Sequence, residues 1–345
     1  MAYSTISKPS LHFNTKLYTG TGSSNAITGV GFQPDWTWIK QRNGTYGHDL
    51  YDVVRGATKT LNTNNTLAEY TSADRLTSFN SDGFTLGTNA SVNGSSDTYA
   101  SWNWLANGAG SANTDGTTTS TVSVNTTAGF SISKYTGTSA VATIGHGLGV
   151  VPSMIIVKNL SSGTRKWAVW HNKLSANNKY LSLNETSAEL TDSATWNNTA
   201  PTNTVFSSSG SGEVNQSGEN FIAYCFAEKK GYSKFGSYTG NGNADGTFVY
   251  TGFKPAFVIY KRYDSGAYSW VLVDNKRNTF NAVDKYVHPD SSAAEGTVTL
   301  MDFLSNGFKM RVNDTTSNQG SIIYMAFAEE PLVANVGASI PATAR

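Results

Sequence analysis

"GFQPDWTWIK", Gly31 to Lys40, sets two tryptophans and an isoleucine directly behind a proline, in a chain otherwise rich in Gly, Ser, Thr and Asn. Alternation with period two places Trp36, Trp38 and Lys40 on one face of a strand, and Thr37 and Ile39 on the other. Such a strand is either an exposed aromatic platform or a piece of core. The chain carries its own control, because the pattern returns as "GVVPSMIIVK" (149–158) and "GFKPAFVIYK" (252–261). Met154 and Ile156, then Phe257 and Ile259, stand where the first copy has its tryptophans. Positions that accept Trp, Met, Phe or Ile ask for bulk and apolarity, which is what a core asks for. A platform for stacking sugars would not accept methionine and isoleucine.

The repeat extends well beyond this strand. Each copy opens with Tyr-Thr-Gly at Tyr18, Tyr135 and Tyr238, and reaches a proline 16, 17 and 17 residues later, at Pro34, Pro152 and Pro255. Lys40, Lys158 and Lys261 follow these prolines by six residues each. Then come "HDLYDV" (48–53), "WAVWHN" (167–172) and "WVLVDN" (270–275), a Phe-x-Ser-x-Gly signature, and closing strands "YASWNWLA" (99–106), "FIAYCFAE" (221–228) and "IIYMAFAE" (322–329). From proline to closing aromatic the distances are 70, 74 and 72 residues, ending at Trp104, Phe226 and Phe327. Landmarks in fixed order at near-constant spacing imply internal duplication. Trp102 and Trp104 then also belong to core, since Tyr224 with Phe226 and Met325 with Phe327 replace them.

With 33 Gly, 17 Tyr, 16 Phe and 8 Trp among 345 residues, the composition favours strands joined by turns. The predicted fold is all-β: three tandem β-sandwich domains of jelly-roll or lectin-like type. Their expected extents are 12–106, 130–228 and 229–330. Residues 107–129, rich in Gly, Ser and Thr, read as a linker or extended arm, residues 1–11 as an N-terminal arm, and 331–345 as a C-terminal tail. The short connection "EKKGYSK" (228–234) predicts that the second and third domains pack as a rigid pair.

Charge and motifs exclude several classes. Lys+Arg 25 against Asp+Glu 24 gives no field that would gather nucleic acid. Cys225 is the single cysteine and makes no internal disulfide. The start has neither a basic nor an apolar leader region, and "FIAYCFA" (221–227) is too short to cross a bilayer, so no membrane insertion is expected. His12, His48, His146, His171 and His288 form no metal-binding motif, and "GHGLG" (145–149) precedes a strand rather than a helix. "NADGT" (243–247) could at most be a calcium-binding turn. Glu228 and Glu329 align just past the closing strand, but Ala106 stands there in the first copy, so they read as solvated caps rather than a catalytic pair. No enzyme activity, cofactor or metal is expected.

Functional residues should lie where the copies differ, in loops. The ligand-binding candidates are Tyr46, His48, Trp196, Tyr263 and Tyr268, weighed against ordinary rim packing. Pro34, Lys40, Pro152, Lys158, Pro255 and Lys261 mark architecture.

At "FQPDWTWIK", "LYDVVRGATKTL", "LTSFNSDGFTLG" and "YMAFAEEPLV…PATAR" the sequence resembles a group of uncharacterised tail-fibre-like or structural virion proteins of marine tailed phages, built from repeated β-rich units. The resemblance touches all three copies and supplies no catalytic residues. It implies a virion protein made in the host cytoplasm, with other virion proteins as partners and a homo-oligomeric state. The leading expectation is a place in the tail, or at a fibre or tip, with loops that bind a host surface glycan or protein. A capsid decoration or head-fibre protein, and a carbohydrate-active enzyme or lectin, are the alternatives. The chain has no heptad run or short β-helical repeat of the kind that builds a fibre shaft.

Overall fold

The strand behind each proline is the centre of a sheet. In the computed structural model, which describes residues 4–331, Trp36–Gln41, Met154–Asn159 and Phe253–Arg262 each lie between their closing strand and the strand that follows in sequence. The closing strands are Thr98–Trp104, Asn220–Phe226 and Gln319–Pro331, all antiparallel, with Trp36 opposite Trp104, Met154 opposite Phe226 and Phe257 opposite Phe327. Each opening strand, Phe13–Thr19, Phe130–Thr136 and Ser233–Asn241, pairs with the far side of the closing strand. The chain is all-β, and each of the three units adds a second antiparallel sheet to the one that holds its central strand, of three strands in unit 1, two in unit 2 and four in unit 3.

The Tyr-Thr-Gly triplet pins these layers together. The hydroxyls of Tyr18, Tyr135 and Tyr238 donate to the carbonyls of Val92, Val214 and Ser317 at 2.8, 2.7 and 2.7 Å. The next residue in each case is a buried asparagine, Asn93, Asn215 or Asn318. The glycine is required by contact: a Cβ at Gly20, Gly137 or Gly240 would come within 2.1, 2.2 and 2.0 Å of backbone atoms at Gly94, Gln216 and Asn318.

Each large sheet is buried on both faces. One face packs inside its own unit, as with Ile39, Tyr51, Phe84 and Tyr99 in unit 1. The opposite face, carrying Trp36, Trp38, Trp102 and Trp104, joins the corresponding faces of units 2 and 3 in one continuous core. At its centre the equivalent residues Trp104, Phe226 and Phe327 form a triangle with ring centroids 5.7, 6.2 and 6.5 Å apart. The three units thus surround a pseudo-threefold axis. Burial on both faces explains why "MIIVK" and "FVIYK" read as continuous apolar runs rather than alternating ones.

This arrangement corrects the expected organisation. The units are not self-contained, because their largest cluster belongs to all three. Unit 1 enters this core alongside units 2 and 3. Residues 107–129 are not a free linker: Ser111–Asn113 and Ser120–Asn125 are strands, and the second extends the unit-2 sheet beside Phe130–Thr136. Small polar residues are compatible with a flexible segment, yet alternation in "STVSVN" buries Ser120 and Val122. In the N-terminal arm, Ile6 enters the shared core and Pro9 is buried. The tail, apart from Pro331, lies outside the described residues.

Candidate functional site

The inward face of each central strand ends in its repeated lysine, and all three side chains are buried. Lys40 donates to the carbonyls of Gln41, Gly44 and Tyr46 at 2.8, 3.1 and 2.8 Å, and to Ser292 of unit 3 at 3.3 Å. Lys158 donates to Arg165 at 2.6 Å and to Thr66 of unit 1 at 2.8 Å. Lys261 donates to Tyr268. Burial lowers each ammonium to a pKa of about 8. The cations are kept by the carbonyls they hold, and they fold the loops 41–48, 159–167 and 262–270 down onto a neighbouring unit.

Backbone bonds repeat the docking around the ring. Glu69 N–H reaches Leu160 O at 3.0 Å, Glu189 N–H reaches Tyr263 O at 2.9 Å, and Glu295 N–H reaches Arg42 O at 2.8 Å. Indole Nε1–H groups follow the same path, from Trp167 to Asn62 O and from Trp270 to Ser182 O, both at 2.9 Å. His48 holds the corresponding place in unit 1. Its Nδ1 accepts from the Trp38 indole at 2.8 Å and its Nε2 meets His288 O at 3.0 Å, which fixes the neutral Nε2–H form. Burial, then the Lys40 charge, holds its pKa well below the ordinary histidine value.

The loop candidates therefore divide. His48 is fully buried in a joint between units, and Trp196 is 1% exposed inside the unit-2 core, so neither can meet a ligand at the surface. A loop position in sequence does not prevent the ring from closing over the side chain. Tyr46 is 48% exposed on its loop. Tyr263 is half-buried against the shared core. Tyr268 is half-buried, with the Arg262 guanidinium 4.6 Å from its ring centroid and Arg262 held by Asp264 at 2.8 Å.

Near Tyr268, at the joint of units 2 and 3, an open cleft of about 420 Å³ is lined by Asn184, Glu185, Thr186, Ser187 and Asp290. Tyr268 N–H donates to Thr186 O at 3.1 Å, which ties the aromatic loop to the cleft wall. Glu185 pairs with Lys166 at 3.0 Å, while burial raises the pKa of Asp290. Hydroxyls, an amide and carboxylates beside an aromatic ring can bind a polar ligand by hydrogen bonds and ring contact. The cleft joins residues more than a hundred positions apart and is not legible as a cleft in the sequence. The available signal was a second repeat: Asn64, Asn184 and Asp290 accept the backbone N–H of His48, Trp167 and Trp270 at 3.1, 2.8 and 2.9 Å.

The remaining motifs are engaged elsewhere. Glu228 pairs with Lys234 at 2.7 Å and Glu329 with Lys254 at 2.8 Å. Asp245, in the proposed calcium turn, pairs with Lys309 at 2.5 Å. Among the described residues no group of three or more His, Cys, Asp or Glu could hold a metal ion, and no helix is long and apolar enough to cross a membrane.

Residues 8–331 match the family described as Domain of unknown function (DUF7483). The chain belongs to this family, whose match takes in all three units. No curated protein matches the chain.

Proposed function

We propose that this member of the family is a structural, non-enzymatic component of a tailed-phage virion, associated with the tail or a fibre, whose loops contribute to host-surface attachment. The resemblance in "FQPDWTWIK" and the C-terminal stretch suggests the particle. The observation that supports the role is the set of three equivalent loops, held by Lys40, Lys158 and Lys261, on a ring with a single core. A rigid scaffold that presents loops loses little entropy on binding, and several copies on a particle would turn weak contacts into avidity. Other virion proteins, and further copies of the chain, would be its partners. A capsid decoration or head-fibre protein, clamped to its neighbours by the 107–129 stretch and the tail, is the alternative; Ser111–Asn113 and Ser120–Asn125 of that stretch lie in the unit-2 sheet.

The test uses the purified chain and its Tyr46→Ala/Tyr268→Ala variant, with labelled host cells and with particles viewed by cryo-EM. Binding should fall about tenfold or more in the variant, as loss of exposed aromatic anchors does, and density should lie on the tail. Density on the head, or wild-type chain that does not bind host cells, would overturn the reading.

A further inference from the structure

The pseudo-threefold arrangement supplies three equivalent sheet edges, and they are not finished alike. In the unit-1 opening strand, His12 O accepts from Leu105 N–H and Gly20 N–H donates to Asp97 O, so the even-numbered residues bond to the closing strand. The N–H and C=O groups of Phe13, Thr15 and Leu17 therefore point away from the sheet, and no backbone partner meets them among the described residues.

In unit 2 the equivalent residues are Phe130, Ile132 and Lys134. They face Asn125, Ser123 and Thr121 of the strand Ser120–Asn125, which covers that edge. In unit 3 the equivalent edge is blunted instead: the Glu228 carboxylate accepts from Phe235 N–H at 3.4 Å and pairs with Lys234 at 2.7 Å. A charged side chain turned onto an edge is a common way to prevent pairing. Among the described residues, the unit-1 edge alone has neither a cover strand nor such a block.

That edge lines an open trough. A small cavity of about 40 Å³ is bounded by Phe13, Asn14 and Thr15 against Asn275, Lys276 and Glu329 of unit 3. A wider cleft of about 340 Å³ shares Asn14, Thr15 and Lys276 with it and is completed by Lys16, Leu17 and Gly29. Thr15 Oγ1 and both amide atoms of Asn275 are buried with no hydrogen-bond partner, on residues 6% and 3% exposed. Unsatisfied buried groups of this kind call for a partner.

We propose that this edge is a β-augmentation site, which takes an extended segment of another protein chain as an antiparallel strand beside Phe13–Leu17. The Ser120–Asn125 strand shows the form of the occupant: small side chains toward the core, with main-chain bonds to alternate residues. Two lysines and no carboxylate line the wider cleft, so the segment carries an acidic residue opposite Lys16. The proposal stands on the edge alone and does not need the virion reading.

The test probe is the hexapeptide of residues 120–125 with glutamate in place of Val122, the position that would face Lys16. Peptide at millimolar concentration should slow amide exchange about tenfold or more at Thr15 and Leu17, and leave Ser233, Phe235 and Ser237 unchanged. Unchanged exchange at Thr15 and Leu17, or equal slowing on the unit-3 edge, would refute the site. Leu17→Pro deletes an outward donor without breaking a bond to the closing strand; it should keep the melting transition and lose the protection at Thr15, and retained protection counts against the proposal. If that variant does not fold, Lys16→Glu decides. It should weaken the glutamate peptide and recover binding to one with lysine there, and no recovery overturns the idea.

Discussion

The ring closes at three joints of one geometry, and two of them use a different chemistry from the third. At the joint of units 2 and 1, Asp52 accepts from Tyr224 Oη at 2.7 Å and from Arg55 at 2.5 Å. At the joint of units 1 and 3, Asp274 accepts from Trp102 Nε1 at 3.1 Å and from Arg277 at 2.6 Å. Arg55 and Arg277 are alike in detail: each also donates to a carbonyl two residues before its aspartate, Leu50 or Leu272, and reaches a glutamate, Glu69 or Glu295. Between units 2 and 3 the same places hold His171, Leu174 and Met325. There His171 Nε2 meets Tyr324 O at 3.2 Å, and Leu174 packs on the shared core.

The substitutions are concerted. Where the neighbour offers a donor, tyrosine or tryptophan, the joint has an acceptor with an arginine to keep it charged. Where the neighbour offers methionine, which cannot donate, the joint has a histidine that donates to the backbone, and the arginine becomes leucine. A buried carboxylate left without its cation would be costly, so the three positions have to change together.

The largest effect should come from breaking one charged joint by halves. Arg277→Leu takes the buried ion-pair partner from Asp274 while Glu295 keeps Arg42 at 2.9 Å, removes the cation over the Trp102 ring, and should cost about 3–5 kcal/mol of unfolding free energy. Adding Asp274→His and Trp102→Met rebuilds the neutral chemistry of the third joint and should recover most of that loss, because replacing a whole buried ion pair is often close to neutral. Denaturant unfolding of the single and triple variants measures both. If the triple variant is no better than the single one, the three joints are not interchangeable solutions.

Much of this was legible in the chain. The period-two strand behind each proline identified the core, and Trp36, Trp38, Trp102 and Trp104 are fully buried as the substitution pattern required. What could not be read was the direction of the second face. "MIIVK" is apolar on both sides, and a strand buried twice looks the same whether it packs within its own unit or against a neighbour. His48 and Trp196 were misread for a related reason: local sequence marks a loop, while burial depends on what folds over it. Small polar side chains hid the strand at 120–125, since pairing satisfies their backbone as well as water would. Tyr46 and Tyr268 could be named because they interrupt the repeat, and of the two Tyr268 stands beside the cleft. The carboxylates of the cleft could not, since Glu185 and Asp290 come from different units.

A smaller effect separates the joints by pH. His171 is buried and neutral, and desolvation lowers its pKa to about 3 from an unfolded value near 6.5. Below pH 6.5 the unfolded chain takes up a proton that the folded chain refuses, so the stability present above that pH is lost as the pH falls toward 3, by about 1.4 kcal/mol per unit. Glutamine at this position can still donate to Tyr324 O without titrating. His171→Gln should therefore reduce the difference in unfolding free energy between pH 7 and pH 5 by about 2 kcal/mol. An unchanged difference would place the acid sensitivity elsewhere in the ring.

The smallest effect belongs to a feature that all three units share. Lys59, Lys179 and Lys285 each donate to a threonine on the next strand, Thr71, Thr191 and Thr297, at 2.9, 2.8 and 2.8 Å. These bonds repeat as faithfully as the buried lysines do, yet they lie at the surface, where water competes for both partners and the long side chains lose rotamer freedom. Lys59→Met, Lys179→Met and Lys285→Met should each cost about 0.5 kcal/mol or less, with the same value beside charged and neutral joints. A cost that instead tracked the neighbouring joint would mean that the Asp–Arg pairs reach outward to the sheet edge. Equal small costs would confine the difference between joints to the buried residues, and would separate what repetition marks, which is geometry, from what burial marks, which is energy.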